Sequence, residues 1–411
     1  MTIIEFYDKN ALDNIAGALI CRPEQIVLLG SNWYQMKNSS VAYKRVLRQN
    51  GISTDIKIVA VNKNDLSGVV EKLEQIVAET DECILDITGG DDVYLTAAGI
   101  IMERYKDKVE CHRFNFAKET IDDCDDNGRV AYPVSFDVSV EDSIAVYGGE
   151  LVLESDTGLQ TYDWSFDSAF ITDVENMWSI CRENSGSWNS QIGLLSKICE
   201  LYCEDGSLSV SYDADGASME IGRGTRRCYL GKRLLEDLQS YGLIRSLHVG
   251  EIVSFSFKNE QIKRCLTISG QVLELFIATR LRSILDKDKK PLYNDVRVGA
   301  IVNWDDDAEE GKMSIVNEMD IIAMKGAIPV FISCKNGLLV VDELYKLTAV
   351  ANRFGGKYAR KVLITANLSE SNTNADYLRA RMREMGIIHV DNVYSLSSYA
   401  FMRLLGTLWD G

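Results

Sequence analysis

Four prolines in 411 residues leave little room for long irregular linkers, so most of the chain is expected in regular elements. The three histidines, His112, His248 and His389, are dispersed, which argues against a zinc centre, a His-based nuclease or a Ser-His-Asp triad. The ten cysteines form no Cys-x-x-Cys pair, and Cys83, Cys199 and Cys334 lie inside apolar runs. They read as reduced, buried thiols of a cytoplasmic protein. No Gly-x-Gly-x-x-Gly occurs, which speaks against dinucleotide redox chemistry. No apolar run reaches membrane-spanning length, and the opening MTIIEFYDKN is too acidic and too briefly apolar for a signal peptide. No internal repeat or low-complexity tract is present. A net charge of −17 argues against non-specific nucleic-acid binding over the whole surface, so a polyanion must be met by a local basic site.

What is there centres on Gly270 to Gly337. GQVLELFIATRLRSIL carries Val272, Leu273, Phe276, Ile277, Leu281 and Ile284 at helical spacing. NEMDIIAM and IPVFISCK read as two strands joined by a hairpin turn at Lys325-Gly326-Ala327. Folded together, these pieces can bring Glu274, Asp320 and Lys335 into one place. A carboxylate and an ammonium at the ends of buried strands are costly unless paired, hydrated or bound to a metal. Hard divalent cations take carboxylates, carbonyls and water, and a lysine beside one can orient a water or offset phosphate charge.

Over roughly Ile268 to Ala366 this spacing resembles the PD-(D/E)XK nuclease superfamily, with its restriction-endonuclease-like fold. Glu274 matches the helix acid, Asp320 the aspartate and Lys335 the lysine. The departure is Ser333, which stands where the second acid of that pattern belongs; Glu318 is a candidate to replace it. The resemblance implies Mg²⁺ or Mn²⁺ held by Glu274, Asp320 and the Cys334 carbonyl. It makes Glu274, Asp320, Ser333 and Lys335 the catalytic set.

The N-terminal third alternates strand and helix patterns: QIVLLGS, SVAYKRVLRQNG, TDIKIVAV, DLSGVVEKLEQIVAE, ECILDITGG, VYLTAAGIIMERY and VECHRFNF. That alternation predicts a parallel, Rossmann-like sheet with ligands at the carboxyl ends of its strands. Two loops fall there, Gly30-Ser31-Asn32-Trp33 and Thr88-Gly89-Gly90-Asp91. The stretch Asp86-Ile87-Thr88-Gly89-Gly90 resembles the ligand loop of CARF domains, which dimerise and bind cyclic oligoadenylates across the dimer axis. By that match Gly30, Ser31, Asn32, Thr88, Gly89 and Gly90 are the ligand-binding residues. Asp91 and Asp92 depart from it, since acids disfavour a phosphate unless they cap the following helix.

Residues 127–167 read as β-rich connecting structure and Asp122 to Asp126 as a solvated loop. From Phe170 the pattern becomes helical, and LGKRLLEDLQSYG followed by two strands resembles a winged helix. Its Lys232 and Arg233 are offset by Glu236 and Asp237, which suits a structural spacer or dimerisation module better than a DNA reader. Arg223, Arg226 and Arg227 are candidates to line a nucleic-acid path. Asp305 to Glu310 reads as an exposed turn. A basic track is expected from Arg280, Arg282, Lys287, Lys289 and Lys290, then Arg353, Lys357, Arg360 and Lys361, then Arg379, Arg381 and Arg383. His389 reads as packed.

The whole pattern resembles the CRISPR ancillary nucleases. The expected division is α/β throughout: a Rossmann-like CARF domain at 1–145, a winged-helix-like module at 146–262 and a restriction-endonuclease-like domain at 263–411. The resemblance implies a homodimeric, metal-dependent nuclease acting on DNA or RNA and switched on by a cyclic oligoadenylate, with cyclic tetra-adenylate the first choice. The rival expectation is a ligand-responsive transcription regulator with an inert nuclease-like domain.

Overall fold

The computed structural model describes residues 1–410 apart from 125–129, 135, 156–158, 222–226, 305–315 and 372. The predicted features at Arg223, Gly224, Thr225, Arg226 and Asp305 to Glu310, and Asp125 and Asp126 of the acidic cluster, lie outside the described residues.

The N-terminal sheet holds β1 (Thr2–Phe6), β2 (Gln25–Gly30), β3 (Asp55–Ala60), β4 (Cys83–Asp86), β5 (Val109–Asn115), β6 (Thr120–Asp123) and β7 (Val130–Pro133), in the order β3-β2-β1-β4-β5-β6-β7. Strands β1 to β5 are parallel, as the alternation predicts. Its helices are α1 (Ala16–Cys21), α2 (Trp33–Gln49), α3 (Leu66–Glu79) and α4 (Asp92–Arg104). The middle of the five parallel strands is β1, which the sequence reading passed over: TIIEF is short, and its glutamate hides the apolar run. Asp65 caps α3 by accepting from Gly68 N at 3.0 Å, and Asp91 is the N-cap of α4. The expected capping role thus falls to Asp91.

Two expectations need correction here. SVEDSIAV is not a strand but α5 (Val140–Val146), because Ser139 accepts from Asp142 N at 2.9 Å and starts a helix. Asp122 is not in a solvated loop; it sits on β6 and pairs with Arg113 at 2.7 Å.

After β8 (Glu150–Leu151) come α6 (Ser168–Glu183), α7 (Trp188–Tyr202), β9 (Ser209–Asp213), α8 (Ala214–Ile221), α9 (Lys232–Ser240), β10 (Ile244–Val249), β11 (Ile252–Phe257) and α10 (Glu260–Thr267). Strands β9, β10 and β11 form a small antiparallel sheet. On α9 the charges answer one another: Lys232 lies 3.5 Å from Glu236 and Arg233 3.9 Å from Asp237.

The C-terminal domain opens with α11 (Gln271–Ser283), followed by β12 (Asp295–Asn303), β13 (Val316–Lys325), β14 (Ile328–Lys335), α12 (Val341–Gly355), β15 (Arg360–Thr365), α13 (Leu368–Ser371), α14 (Ala375–Glu384), β16 (Ile387–Val390) and α15 (Ser398–Leu405). The sheet order is β16-β15-β14-β13-β12-β8. The predicted hairpin is present, with Lys325 opposite Ile328. One face carries Ile321, Ala323, Ile332 and Cys334 and packs in one core with α6, α7 and α11. The other carries Ile322, Met324, Phe331 and Leu363 and shares its core with α12 and the N-terminal domain. Among the described residues, no helix is long and apolar enough to cross a membrane.

Candidate active site

The site forms where a strand ladder stops. Strands β13 and β14 pair from Lys325↔Ile328 to Ile321↔Ile332 and no further. Beyond that point the Asp320 carboxylate replaces the backbone: its Oδ2 accepts from Cys334 N at 2.6 Å and from the Ser333 hydroxyl at 3.1 Å. A kink puts it there. Gly299, opposite Asp320 on β12, has φ +60. Val296 and Val298 face one core, whereas Ala300 and Val302 face the other. The strand therefore turns over at this glycine, opposite Asp320. N–H and C=O of one strand residue point to the same edge. The Cys334 carbonyl thus shares the edge on which its N–H meets Asp320, while Lys335 turns its own carbonyl to Ala366 N on the β15 side, 2.9 Å away.

Lys335 closes the group. Its ammonium is 3.8 Å from Asp320 Oδ2 and 3.0 Å from Glu343 Oε2, in the first turn of α12. Burial alone pushes the ammonium down, but Asp320 and then Glu343 outweigh it and hold Lys335 above its ordinary value. Glu274 comes from α11, on the other face of the sheet, with its Oε2 accepting from Gln271 at 2.9 Å. Burial, then the charges of Asp320 and Glu318, push the Glu274 carboxyl well above the usual carboxylate range, with Lys335 opposing. The structure therefore brings Glu274, Asp320, Ser333, Cys334 and Lys335 together. Ser333 serves as a hydrogen-bond donor to Asp320, and Glu318 acts on Glu274 through its charge.

Do these residues suit a divalent cation? Among the described residues, no three His, Cys, Asp or Glu side chains are gathered closely enough to hold one alone. A Mg²⁺-like ion, however, keeps most of its waters and is held by one or two carboxylates. Glu274, whose carboxyl is raised by burial and by the neighbouring acids, and Asp320, with a strand-edge carbonyl beside them, fit that requirement.

Sequence reasoning missed Glu343, Gln271 and the loop after Lys335. Gln271 had a signal, since it stands three residues before Glu274 on one helix face. In the loop, Asn336 accepts from the Tyr394 hydroxyl, and its carbonyl accepts from Asn189 at the start of α7. His389 is not in this group; its Nε2 meets the Thr365 hydroxyl at 2.9 Å.

The expected basic track needs correction. Arg280 pairs with Glu175, Arg282 bonds the Val296 carbonyl, Arg353 the Tyr147 carbonyl and Arg360 the Trp409 carbonyl. Lys357 pairs with Asp13, Arg379 with Asp376 and Asp391, and Arg381 with Glu384. These bonds serve the fold, leaving Lys287, Lys289, Lys290 and Arg383 among the exposed members. Arg227 lies 3.5 Å from Asp215.

In the N-terminal domain the two predicted loops flank β1. Gly30 ends β2, Ser31 is exposed, and Asn32 caps α2 by accepting from Gln35 N at 3.1 Å. The Thr88 hydroxyl accepts from Phe114 N at 2.7 Å, and Gly90 N donates to Asp8 Oδ2 at 3.2 Å. Gly89 is packed so closely that a Cβ would lie 2.8 Å from that of Asp13 and 2.9 Å from that of Asp8. Asp13 in turn accepts from Lys357 and, at 2.8 Å, from the Tyr358 hydroxyl, both in the C-terminal domain. The Thr88–Gly90 loop and the nuclease-like domain thus meet through the buried Asp13.

Residues 259–402 match the family model of the Card1-like endonuclease domain. Protein VC1899 from Vibrio cholerae has a similar structure, with TM-score 0.74 at 18% identity over 100% of this chain and 97% of that one. Can2 from Sulfobacillus thermosulfidooxidans, solved in complex with cyclic tetra-adenylate, gives TM-score 0.64 at 16% identity over 100% and 98%. The chain shares the fold of Can2 along its whole length, and its C-terminal part matches the Card1-like endonuclease model. A type III CRISPR defence DNA nuclease activated by cyclic oligoadenylate gives TM-score 0.50 at 14% identity, over 89% of this chain and 45% of that one. No curated protein matches the sequence. At these identities the structural neighbours speak for the CARF–nuclease fold, and the endonuclease match speaks for the C-terminal domain.

Proposed function

We propose that this CARF–nuclease protein is a metal-dependent nuclease of type III CRISPR defence, acting in the cytoplasm as a homodimer. Its activator is a cyclic oligoadenylate, with cyclic tetra-adenylate the first choice, and its substrate is DNA or RNA. Residues 1–145 sense the ligand, 146–262 connect, and 263–411 cleave. The observation that carries the reading is the carboxylate of Asp320 standing in for the lost strand ladder beside Lys335, within the domain that matches the Card1-like endonuclease.

Glu274, Asp320 and the Cys334 carbonyl would hold Mg²⁺ or Mn²⁺, which supplies an activated water and charge neutralisation at the phosphodiester. Asp320 is kept in place by the Ser333 hydroxyl and the Cys334 N–H. Lys335 presents a fixed positive charge to the scissile phosphate and orients the attacking water. Gly30, Ser31, Asn32, Thr88, Gly89 and Gly90 border the activator, and movement of the Gly89–Gly90 loop reaches the C-terminal domain through Asp13.

Asp320→Ala and Lys335→Ala tested on supercoiled plasmid and single-stranded DNA and RNA are expected to lose cleavage while retaining cyclic tetra-adenylate binding by calorimetry. Cleavage retained in both variants would sink the site assignment. The regulator reading draws on the neutral Ser333; the self-paired charges of α9 oppose it.

A further inference from the structure

Ser333 leaves the lysine of this site one acid short of the strand pattern it otherwise follows, yet Lys335 is not short of acid. Its nearest carboxylate is neither Asp320 nor Glu274 but Glu343, at 3.0 Å against 3.8 Å for Asp320. Eight positions separate the two in sequence, and the intervening loop is built to fold back. Asn336 is held from two sides by Asn189 and Tyr394, and Leu339 is pinned in the core shared with α12. Helix α12 then begins at Val341, placing Glu343 in its first turn, where the helix dipole favours a negative charge. Lys335 and Glu343 are each about a quarter to a third exposed, so the pair is sheltered without being sealed from a substrate.

We propose that Glu343 is the positioning residue that supplies the acid Ser333 lacks, holding the Lys335 ammonium against Asp320 so that it meets the phosphodiester as a fixed cation. This rests on the nuclease reading of the same site. The groups that face the ammonium are Asp320 from β13, Glu274 from α11, Glu343 from α12 and the neighbouring Cys334 thiol. Of these, Asp320 and Glu274 are engaged with the metal in the reading above. Glu343 is left as the acid that can stay with the lysine throughout.

The test uses the full chain and two readouts. In protein with ¹³C,¹⁵N-labelled lysine, the Lys335 resonance is assigned by its loss in Lys335→Arg. Its titration midpoint is expected to fall by about one pH unit in Glu343→Gln, the shift of one lost charge partner, and to stay near the parent value in Glu343→Asp. An unchanged midpoint in Glu343→Gln overturns the proposal, whatever the protein cleaves. In Mn²⁺-dependent cleavage, Glu343→Gln is expected to lose kcat by about tenfold, one pKa unit in equivalent energy, with KM held and the high-pH fall in rate starting earlier. Glu343→Asp, which keeps the charge, is expected to retain most of the rate. A folded Glu343→Asp variant as slow as Glu343→Gln also overturns the proposal. An inactive parent chain counts against the nuclease reading itself, and the lysine midpoint still decides the role of Glu343.

Discussion

Both halves of the molecule set two acids side by side, fully buried in one half and half-buried in the other, and only the half-buried pair has the makings of an active site. In the N-terminal sheet Glu5 and Asp86 are register partners on the neighbouring parallel strands β1 and β4, both fully enclosed. In the C-terminal domain Glu274 and Asp320 approach from a helix and a strand. In both places burial pushes a carboxyl upward: Glu5 well above the usual range with Asp86 adding to it, Asp86 to about 6 against the opposing Thr88 hydrogen bonds, and Glu274 well above the usual range with Asp320 adding to it. The difference lies in what surrounds them. Asp320 has an ammonium, a hydroxyl and a backbone N–H, at the point where a strand ladder ends. Asp86 accepts from Thr88 N at 2.8 Å and so shapes the Thr88–Gly90 loop. The Ala18 N–H approaches Glu5, but neither carboxyl oxygen has a partner at hydrogen-bond distance. Clustered, perturbed acids are therefore no catalytic signature by themselves; the cation and the broken ladder make the distinction.

The largest expected contrast is in activity. Asp320→Ala should lower cleavage on the order of a thousandfold, whereas Glu5→Gln should leave it near the parent rate. Equal losses in plasmid cleavage would erase the distinction.

Next comes pH. Glu274 must give up its proton to hold a cation, and its affinity for protons is raised. Mn²⁺ binding measured by calorimetry should therefore weaken as pH falls from 8 toward 5, and Glu274→Gln should flatten that dependence while lowering affinity. The N-terminal pair shows the same chemistry as stability. A carboxyl whose folded pKa is raised favours the fold most below its unfolded pKa, and that contribution is lost as pH rises through the folded value, about 6 for Asp86. Glu5→Gln removes an acid that cannot ionise without cost. It should stabilise the chain more at pH 8 than at pH 4, as read from denaturant unfolding. A gain of equal size at both pH values would contradict the assignment.

The smallest effect concerns the bridge between the halves. Tyr358→Phe removes one of the partners of Asp13 and should cost about 1 kcal/mol. It should also reduce the ratio of activated to basal cleavage without abolishing either.

Much of this was legible in the sequence. The strand–helix alternation from QIVLLGS to VECHRFNF becomes β2 to β5, and NEMDIIAM-to-IPVFISCK becomes the β13–β14 hairpin carrying Asp320 and Lys335. What escaped reading depended on neighbours remote in sequence. Strand β1 is recognisable as central only once its partners flank it. Helix α5 is written in β-branched residues and decided by the Ser139 cap. Gly299 reads as an ordinary strand interruption until Asp320 is seen opposite. Glu343 is one of many surface-patterned acids on an amphipathic helix until the loop at Asn336 folds it onto Lys335. The basic residues looked like a track because sequence cannot show that Arg353, Arg360 and Lys357 are already committed to carbonyls and to Asp13.

The most direct measurement is a Mn²⁺ cleavage assay on plasmid and single-stranded substrates, with and without cyclic tetra-adenylate, run in parallel on the parent chain and Lys335→Ala. The account predicts cleavage by the parent chain only when metal and activator are both present, and none by the variant. Cleavage of equal rate without the activator would contradict the gate, and no cleavage by the parent under any condition would contradict the nuclease.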